Sequence, residues 1–371
     1  MTIHEQIRQL ASRPESKGPF LTLYLDTNRG DATQNERIRI MMKQKIDSVR
    51  DSIDLNGQSE AIEQGIREIE RFLEEDLLPG TRGVAIFADP LEGFFEPIEL
   101  NVPVEPDLHI GSQPHIRHLT ELRELHPHVL VAIVDSKSSR LLEIEFGTVV
   151  ERIEMDDPDP PRSTDQGGWS QGNIQRHSQD HRNHLHKDAA ELLSKLFDKR
   201  HGVDVIVAGQ DHNCANFRGH LPKRVDERVL GTRHLDLRTG EDNIVRSSEE
   251  LARTARRDRL EQRLEELESA SRKNDRGAVG FARVVDAVNQ RKVEELLLAS
   301  GANGRGWKCT SCGLIGESVP LGCPACGEKI RSIDLVEQFI AAAHQERADI
   351  GFVSSGTVLE NYSGVGAFLR F

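Results

Sequence analysis

Four cysteines stand close together near the end of the chain, at Cys309, Cys312, Cys323 and Cys326. They form two C-x-x-C pairs across a ten-residue spacer, with Gly313 and Gly327 directly after the second cysteine of each pair. A C-x-x-C turn points two thiolates at one ion, and two such turns can close a tetrahedral shell around Zn2+. A shell of four thiolates keeps no open position for a substrate, so the metal expected here is structural. Two disulfides, a redox pair or an iron–sulfur cluster are the competing uses of the same residues. Cys214 lies alone and reads as a structural residue or a spectator.

A second stretch has the makings of a reactive loop. The run Gln166-Gly167-Gly168-Trp169-Ser170-Gln171-Gly172 precedes a segment holding Arg176, His177, His181, Arg182, His184, His186 and Lys187. Consecutive glycines allow close backbone approach to a ligand. A glutamine is neither a strong acid nor a strong base, but its amide can orient water and donate a hydrogen bond. The loop therefore suits the placing of water against an ester or a phosphate. From Gln166 to Lys187, Arg176, Arg182 and Lys187 outweigh Asp180, a local charge of +2 in a chain of −13. That contrast marks a polyanion contact. His177, His181 and His184 follow i, i+4, i+7 spacing, but with no acidic ligand beside them they read as a solvated face rather than a metal site. Asp135 follows an apolar run, where α/β sheets often hold site residues; a strand-end turn is the plainer reading. The sequence contains no G-x-x-x-x-G-K-[ST] or H-E-x-x-H pattern.

These residues have to be held by a chain of 371 residues, long enough for two or three domains at roughly 150 residues each. Lys and Arg total 48 against 61 Asp and Glu, 37% of residues are hydrophobic, and the mean hydropathy is −0.50. The composition is that of a globular chain. It has no apolar run of membrane-spanning length and no export-signal pattern at its start, so a cytoplasmic protein without a membrane partner is expected. The acidic balance excludes a general DNA coater but leaves room for one basic site. Aromatic residues make only 5%, so single-strand stacking platforms are not expected to dominate binding.

The apolar runs outline the elements. Pro19–Asn28 and Thr81–Pro90 read as buried strands, with helices over Asn35–Val49 and Ser59–Leu78 between them. Proline-broken strand pieces follow from Phe94. Val129–Asp135 is a continuous apolar strand, and Arg140–Phe146 with Thr148–Ile153 form a hairpin around Gly147. Met155–Asn173 reads as an exposed loop, Ile174–Arg200 as a helix and Val203–Gln210 as a further strand. Ser247 and Glu250 have capping-box spacing, ahead of a helix with Leu260, Leu264 and Leu267 on one face. Alternating strands and helices indicate α/β layers.

Taken together, the motifs resemble the archaeal/eukaryotic class I release-factor superfamily, which includes Pelota, and most closely its bacterial and archaeal release-factor-like branch. Gly167 to Gln171, GGWSQ, stands where release factors carry Gly-Gly-Gln before a basic helix. Phe217 with Leu221-Pro222 is similar to the family's FxxxLP-like continuation. The stretch GAVGFARVVDAVNQRKVEELLLAS, the interrupting ribbon cysteines and the ending GVGAFLRF are similar to the family's C-terminal domain.

The resemblance implies three α/β domains of release-factor type. These are 1–115, a central loop-bearing domain 116–245, and a C-terminal domain 246–371 with an inserted zinc ribbon at 307–328. It implies Gly167, Gly168 and Gln171 as catalytic residues, although Trp169 and Ser170 intervene before the glutamine; Gln166 and Gln175 are lesser candidates. Arg176, His177, Arg182 and Lys187 would contact RNA. The expected partners are the ribosome, peptidyl-tRNA and rRNA, with a recruiting or ribosome-splitting protein. The decoding motif Asn-Ile-Lys-Ser is absent from the N-terminal region, so codon-independent hydrolysis of peptidyl-tRNA in ribosome rescue is the leading expectation. Cleavage near the tRNA 3′ end by the same loop, and Pelota-like binding without catalysis, are the alternatives.

Overall fold

The computed structural model describes residues 2–27, 40, 43–44, 59–157, 171–200 (backbone alone over 171–178), 203–273, 275–354 and 356–371. Compactness divides it into one unit built from residues 1–124 and 257–371, and another built from 125–256.

The chain opens with helix α1, Ile3–Ala11, started by a capping box between Thr2 and Glu5. Strand β1, Phe20–Asp26, and strand β2, Gly83–Asp89, are almost wholly buried. This is why both appear as unbroken apolar runs. They pair antiparallel, and with β3, Phe94–Leu100, and β4, Asp107–Gly111, form a sheet in the order β3-β2-β1-β4. Helix α2, Ser59–Arg71, buries Ala61, Ile62, Gly65 and Ile69 at helical spacing and runs into a π-helical turn over Phe72–Asp76. The helix expected over Asn35–Val49 lies almost entirely outside the described residues. Helix α3, Arg117–Leu125, closes this region.

The second unit is a five-stranded sheet in the order β7-β6-β5-β8-β9. Strands β5, Val129–Val134, β6, Ser138–Glu145, and β7, Thr148–Asp156, form an antiparallel meander. Phe146 and Gly147 turn between β6 and β7 with φ of 45° and 72°. Two successive positive φ values match the twist of a tight hairpin. Helix α4, Gln171–Lys199, leads to β8, Asp204–Gly209, which lies parallel to β5. Short helices α5, Asp211–Arg218, and α6, Lys223–Asp226, precede β9, Val229–Arg233, parallel to β8. Ala189, Ala190, Leu193 and Leu196 of α4 pack with Leu130, Ala132, Val205 and Val207 in one core cluster; Ile244 and Ala252 pack with Val129, Val131 and Ile206 in another.

Two boundaries differ from expectation. The loop placed at Met155–Asn173 is shorter at both ends, because β7 continues to Asp156 and α4 already begins at Gln171. The helix expected to open at Ser247 begins at Glu241 and runs to Arg272 as α7. The carbonyl of Gly240 accepts from Asn243 and Ile244, and the fully buried Ile244 anchors that first turn. Ser247 and Glu250 therefore sit inside a helix, where their spacing is simply one turn.

The C-terminal region adds β10, Gly277–Val279, α8, Phe281–Asn289, and β11, Val293–Ala299. A small three-stranded sheet follows, from β12, Arg305–Cys309, β13, Ile315–Gly316, and β14, Ile330–Asp334, in the order β13-β12-β14. Helix α9, Leu335–Glu346, β15, Asp349–Val353, and β16, Val365–Leu369, complete the chain. The larger sheet has the order β10-β16-β11-β15, and the expected stripe of Leu260, Leu264 and Leu267 packs on it against Leu297 and Phe368. No helix among the described residues is long and apolar enough to cross a membrane.

Candidate functional site

Helix α4 is the element that the glycine-rich motif leads into. Gln171 is its first residue, so the glutamine stands at a helix N-terminus, and Arg176 and His177 lie within the first turns. Gly167 and Gly168 lie outside the described residues. The first backbone N–H groups of a helix have no intrahelical acceptor, and the aligned peptide dipoles leave positive character there. The first turn of α4 carries no acidic side chain to neutralise it.

Two histidines tie α4 to the sheet. His181 Nδ1 lies 3.2 Å from Asp157 Oδ1, and the Asp157 N–H donates to the Lys137 carbonyl at 2.8 Å. The contact thus joins the residue just after β7 to the third turn of α4. His186 is fully buried between the Asp135 carbonyl, 3.0 Å from its Nε2, and the Asn216 side-chain amide, 2.7 Å from its Nδ1. Burial lowers the His186 pKa, against the opposing pull of those two hydrogen bonds. Asp135 also accepts from the Asn213 amide at 3.3 Å, so the strand-end residue works as an anchor for neighbouring elements.

The expected histidine face is thereby divided: His181 is half-buried and paired, while His184 is exposed. Among the described residues no histidine belongs to a cluster able to hold a metal. Lys187 is exposed; Arg182 is half-buried, and its Nε has no hydrogen-bond partner among the described residues. Sequence reading missed His186 as a structural anchor. Its signal was its place one turn before Ala189 and Ala190 and two before Leu193, all buried on the same face.

The cysteine cluster is compact. The sulfur atoms of Cys309, Cys312, Cys323 and Cys326 all lie within 4.8 Å of one another. Cys309 Sγ is 3.5 Å from Cys326 Sγ, and Cys312 Sγ is 3.6 Å from Cys323 Sγ. Tetrahedral zinc with Zn–S bonds near 2.3 Å needs sulfurs about 3.8 Å apart, so the donor set fits zinc and is too wide for disulfides. Both knuckles follow one plan. The Gly313 N–H donates to the Cys309 carbonyl at 3.3 Å, and the Gly327 N–H to the Cys323 carbonyl at 2.8 Å. Gly313 and Gly327 take φ of 76° and 77°, a left-handed conformation that favours glycine. The backbone N–H of Cys312 and that of Ser311 donate to Cys309 Sγ, and the Cys309 thiol is held down at about 6, the Cys312 N–H being the largest cause. The thiolate is the form a metal ligates. Trp307 packs against Cys309 and Cys323 beneath the cluster. Cys214 is buried in the core of the other unit.

A third set of groups was not legible in the sequence. His109, His115 and Glu337 meet inside the unit formed by the two ends of the chain. The rings of His109 and His115 stack with centroids 4.5 Å apart, and His115 Nε2 lies 3.4 Å from Glu337 Oε2. Glu337 also accepts the backbone N–H of Ile116 at 2.6 Å and of Arg117 at 3.3 Å. Burial pushes Glu337 up to about 7 and both histidines down to about 4. More than two hundred residues separate Glu337 from its partners, and no local pattern announces such a contact.

Residues 114–253, which nearly coincide with the second compact unit, match the model of bacterial archaeo-eukaryotic release factor family 10. No curated protein matches the chain. Among solved structures, the archaeal translation termination factor aRF1 is similar at 15% identity, covering 100% of this chain and 96% of that one, with a TM-score of 0.25. Archaeoglobus fulgidus Pelota is similar at 16% identity over 78% of this chain and 79% of that one, with a TM-score of 0.30. A structure described as ribosome-bound archaeal Pelota and ABCE1 is similar at 14% identity over 99% and 94% of the two chains, with a TM-score of 0.41. The likeness to bacterial archaeo-eukaryotic release factor family 10 thus rests on residues 114–253, a span that includes the Gly167–Gln171 motif.

Proposed function

We propose that the protein is a cytoplasmic, ribosome-associated rescue factor that hydrolyses the peptidyl-tRNA ester without reading a codon. The observation that carries this reading is the family match over residues 114–253, because that span contains Gly167, Gly168 and Gln171 immediately before a basic helix. The ester is already activated, so orienting a water molecule and stabilising the oxyanion suffice without a strong base. In this reading the backbone at Gly167 and Gly168 approaches the ester closely. Gln171 orients the water, and the free N–H groups at the start of α4 favour the developing negative charge. Arg176, His177, Arg182 and Lys187 face rRNA or tRNA phosphates and set the position of the helix. Cys309, Cys312, Cys323 and Cys326 hold Zn2+, which stiffens the ribbon and takes no part in hydrolysis. The central domain of this reading spans 116–245, between an N-terminal domain at 1–115 and a C-terminal one at 246–371. A recruiting or ribosome-splitting protein is the expected further partner.

Binding without catalysis, in the manner of Pelota, is the second reading. It is favoured by Trp169 and Ser170, which separate Gly168 from Gln171, and by the place of Gln171 as the first residue of the helix. Cleavage near the tRNA 3′ end has less support. Such a reaction needs accessible acid–base groups, and of the described helix histidines His184 alone is exposed, His186 being buried and His181 paired.

The test uses ribosomal complexes whose peptidyl-tRNA is labelled on both peptide and tRNA, with no stop codon in the A site. We expect free peptide with full-length tRNA, and loss of release by at least about a hundredfold in Gln171→Ala with ribosome binding kept, the scale of losing one oriented catalytic contact. A shortened tRNA would move the assignment to a nuclease. Binding without release in every complex would make the protein an adaptor.

A further inference from the structure

The stacked histidines line a half-open cavity of about 540 Å³ bordered by residues from the two ends of the chain, within the compact unit that both ends form. That volume is typical of sites for small molecules, roughly 300–1,000 Å³. The charges around it are unevenly paired, and the imbalance identifies the missing partner.

The carboxylates at the cavity are already engaged. Asp334 caps α9, accepting from Val336 at 2.8 Å and Glu337 at 3.2 Å. Glu337 accepts from Ile116 and Arg117. The guanidinium groups are not fully engaged. Arg13 stacks on Phe94 and pairs through Nη2 with Glu92 at 3.3 Å, yet its Nε is buried with no hydrogen-bond partner among the described residues. Arg331 is in the same condition at Nε. Its Nη2 shares a single carboxylate oxygen, Glu15 Oε1 at 2.6 Å, with Lys308 Nζ at 2.8 Å. One carboxylate thus faces two cations. Arg305 lines the same cavity, is exposed, and forms no ion pair among the described residues.

We propose that this cavity is a second binding site, for a small molecule bearing an oxyanion, either phosphate or carboxylate. The anion pairs with the guanidinium groups of Arg305 and Arg331, which line the cavity, and offsets the positive charge that Arg305 and the Lys308–Arg331 pair leave in excess there. Guanidinium groups suit both anions because their planar fork matches two oxygens at once. His109 and His115 flank the site as uncharged rings, so they donate hydrogen bonds without adding desolvated charge. Apart from Pro114 and His115, the lining residues lie outside the family-matched span, and the site requires no hydrolytic activity.

Calorimetry on the full-length protein with inorganic phosphate, adenosine 5′-monophosphate and citrate tests this. Heat with phosphate or the nucleotide but not citrate assigns a phosphorylated ligand, and the reverse assigns a carboxylate. Arg331→Met should weaken the binding by roughly tenfold or more, as expected for a lost charge-assisted bond. Arg305→Met should weaken it several-fold; this exposed residue has no ion pair to break, so loss of folding does not confuse the result. Val319→Ser, on an exposed turn of the ribbon, should leave binding unchanged. Imidazole resonances of His109 and His115 should titrate at higher pH when ligand is bound, because the anion favours the protonated ring. No heat and no movement of these resonances at about 10 mM of any of the three probes, weaker than any functional affinity in this range, would overturn the proposal. So would binding that persists undiminished in both arginine variants.

Discussion

Glu143 shows how one buried charge is kept. Its side chain is fully inaccessible within β6, yet His128 Nε2 at 2.7 Å and Arg200 Nε at 2.7 Å reach it. Burial opposes ionisation, but the hydrogen bonds from His128 and Arg200 outweigh it and hold the carboxyl at about 2, against an ordinary value of 4.5. A carboxyl whose folded pKa lies below its unfolded one stabilises the fold above the unfolded value, and that stability is lost as pH falls from about 4.5 through 2. Glu143→Gln should therefore lower stability at pH 7 by about 3–5 kcal/mol, the usual cost of leaving buried partners of an ion pair uncompensated. Urea titrations at pH 7 and pH 3 would measure it. The gap between variant and wild type should narrow at the lower pH; an equal gap at both would show that the charge on Glu143 contributes nothing. At this scale the sequence was readable where residue type alone dictates chemistry, as in the cysteine pairs. It was silent on Glu143, because an acid in the strand Ser138–Glu145 looks like a solvent-facing residue until Arg200 closes over it.

The elements are best predicted where one face is apolar and a turn is forced. The buried strands β1, β2, β5 and β8 follow directly from their apolar runs, and the Phe146–Gly147 hairpin from its glycine. Helix starts were less legible, since the Ser247 pattern lies inside α7, whose anchor is the burial of Ile244. The end of α9 offers a test of local backbone preference. Arg347 closes the helix with φ 57° and ψ 34°, while the Ala348 N–H donates back to the Ala343 carbonyl at 2.8 Å. This is the left-handed closure for which glycine is the usual residue. The Arg347 side chain is exposed, so little packing is lost with it. Arg347→Gly should raise stability by about 0.5–1 kcal/mol, and Arg347→Val should lower it, because a β-branched residue resists that conformation. Thermal unfolding of the three proteins gives the order directly: glycine highest, arginine between, valine lowest. A glycine variant that melts below the parent would show that the arginine side chain makes a stabilising contact at the helix end.

At the scale of the whole molecule, the least legible feature is that the two ends of the chain build one compact unit. Local periodicity reports on neighbours in sequence and carries no information about residues brought together across hundreds of positions. The join is polar and specific. Glu337 accepts from the backbone of Ile116 and Arg117, the Arg117 Nη1 donates to the Ala302 carbonyl at 2.7 Å, and Gln345 donates to the Ala11 carbonyl. Such a junction depends on complete satisfaction of its donors, because each amide left bare inside it costs more than the bond contributes when formed. Glu337→Ala bares two amides at once and should lower stability by about 2 kcal/mol or more. Glu337→Gln keeps an acceptor oxygen for Ile116 and should recover part of that loss. Hydrogen exchange separates this account from a general loss of packing. In the alanine variant the amides of Ile116 and Arg117 should exchange faster while those of the buried strand β1, on the same unit, keep their protection. If the β1 amides lose protection equally, the carboxylate supports the N-terminal sheet as a whole, and the junction is not a separable element.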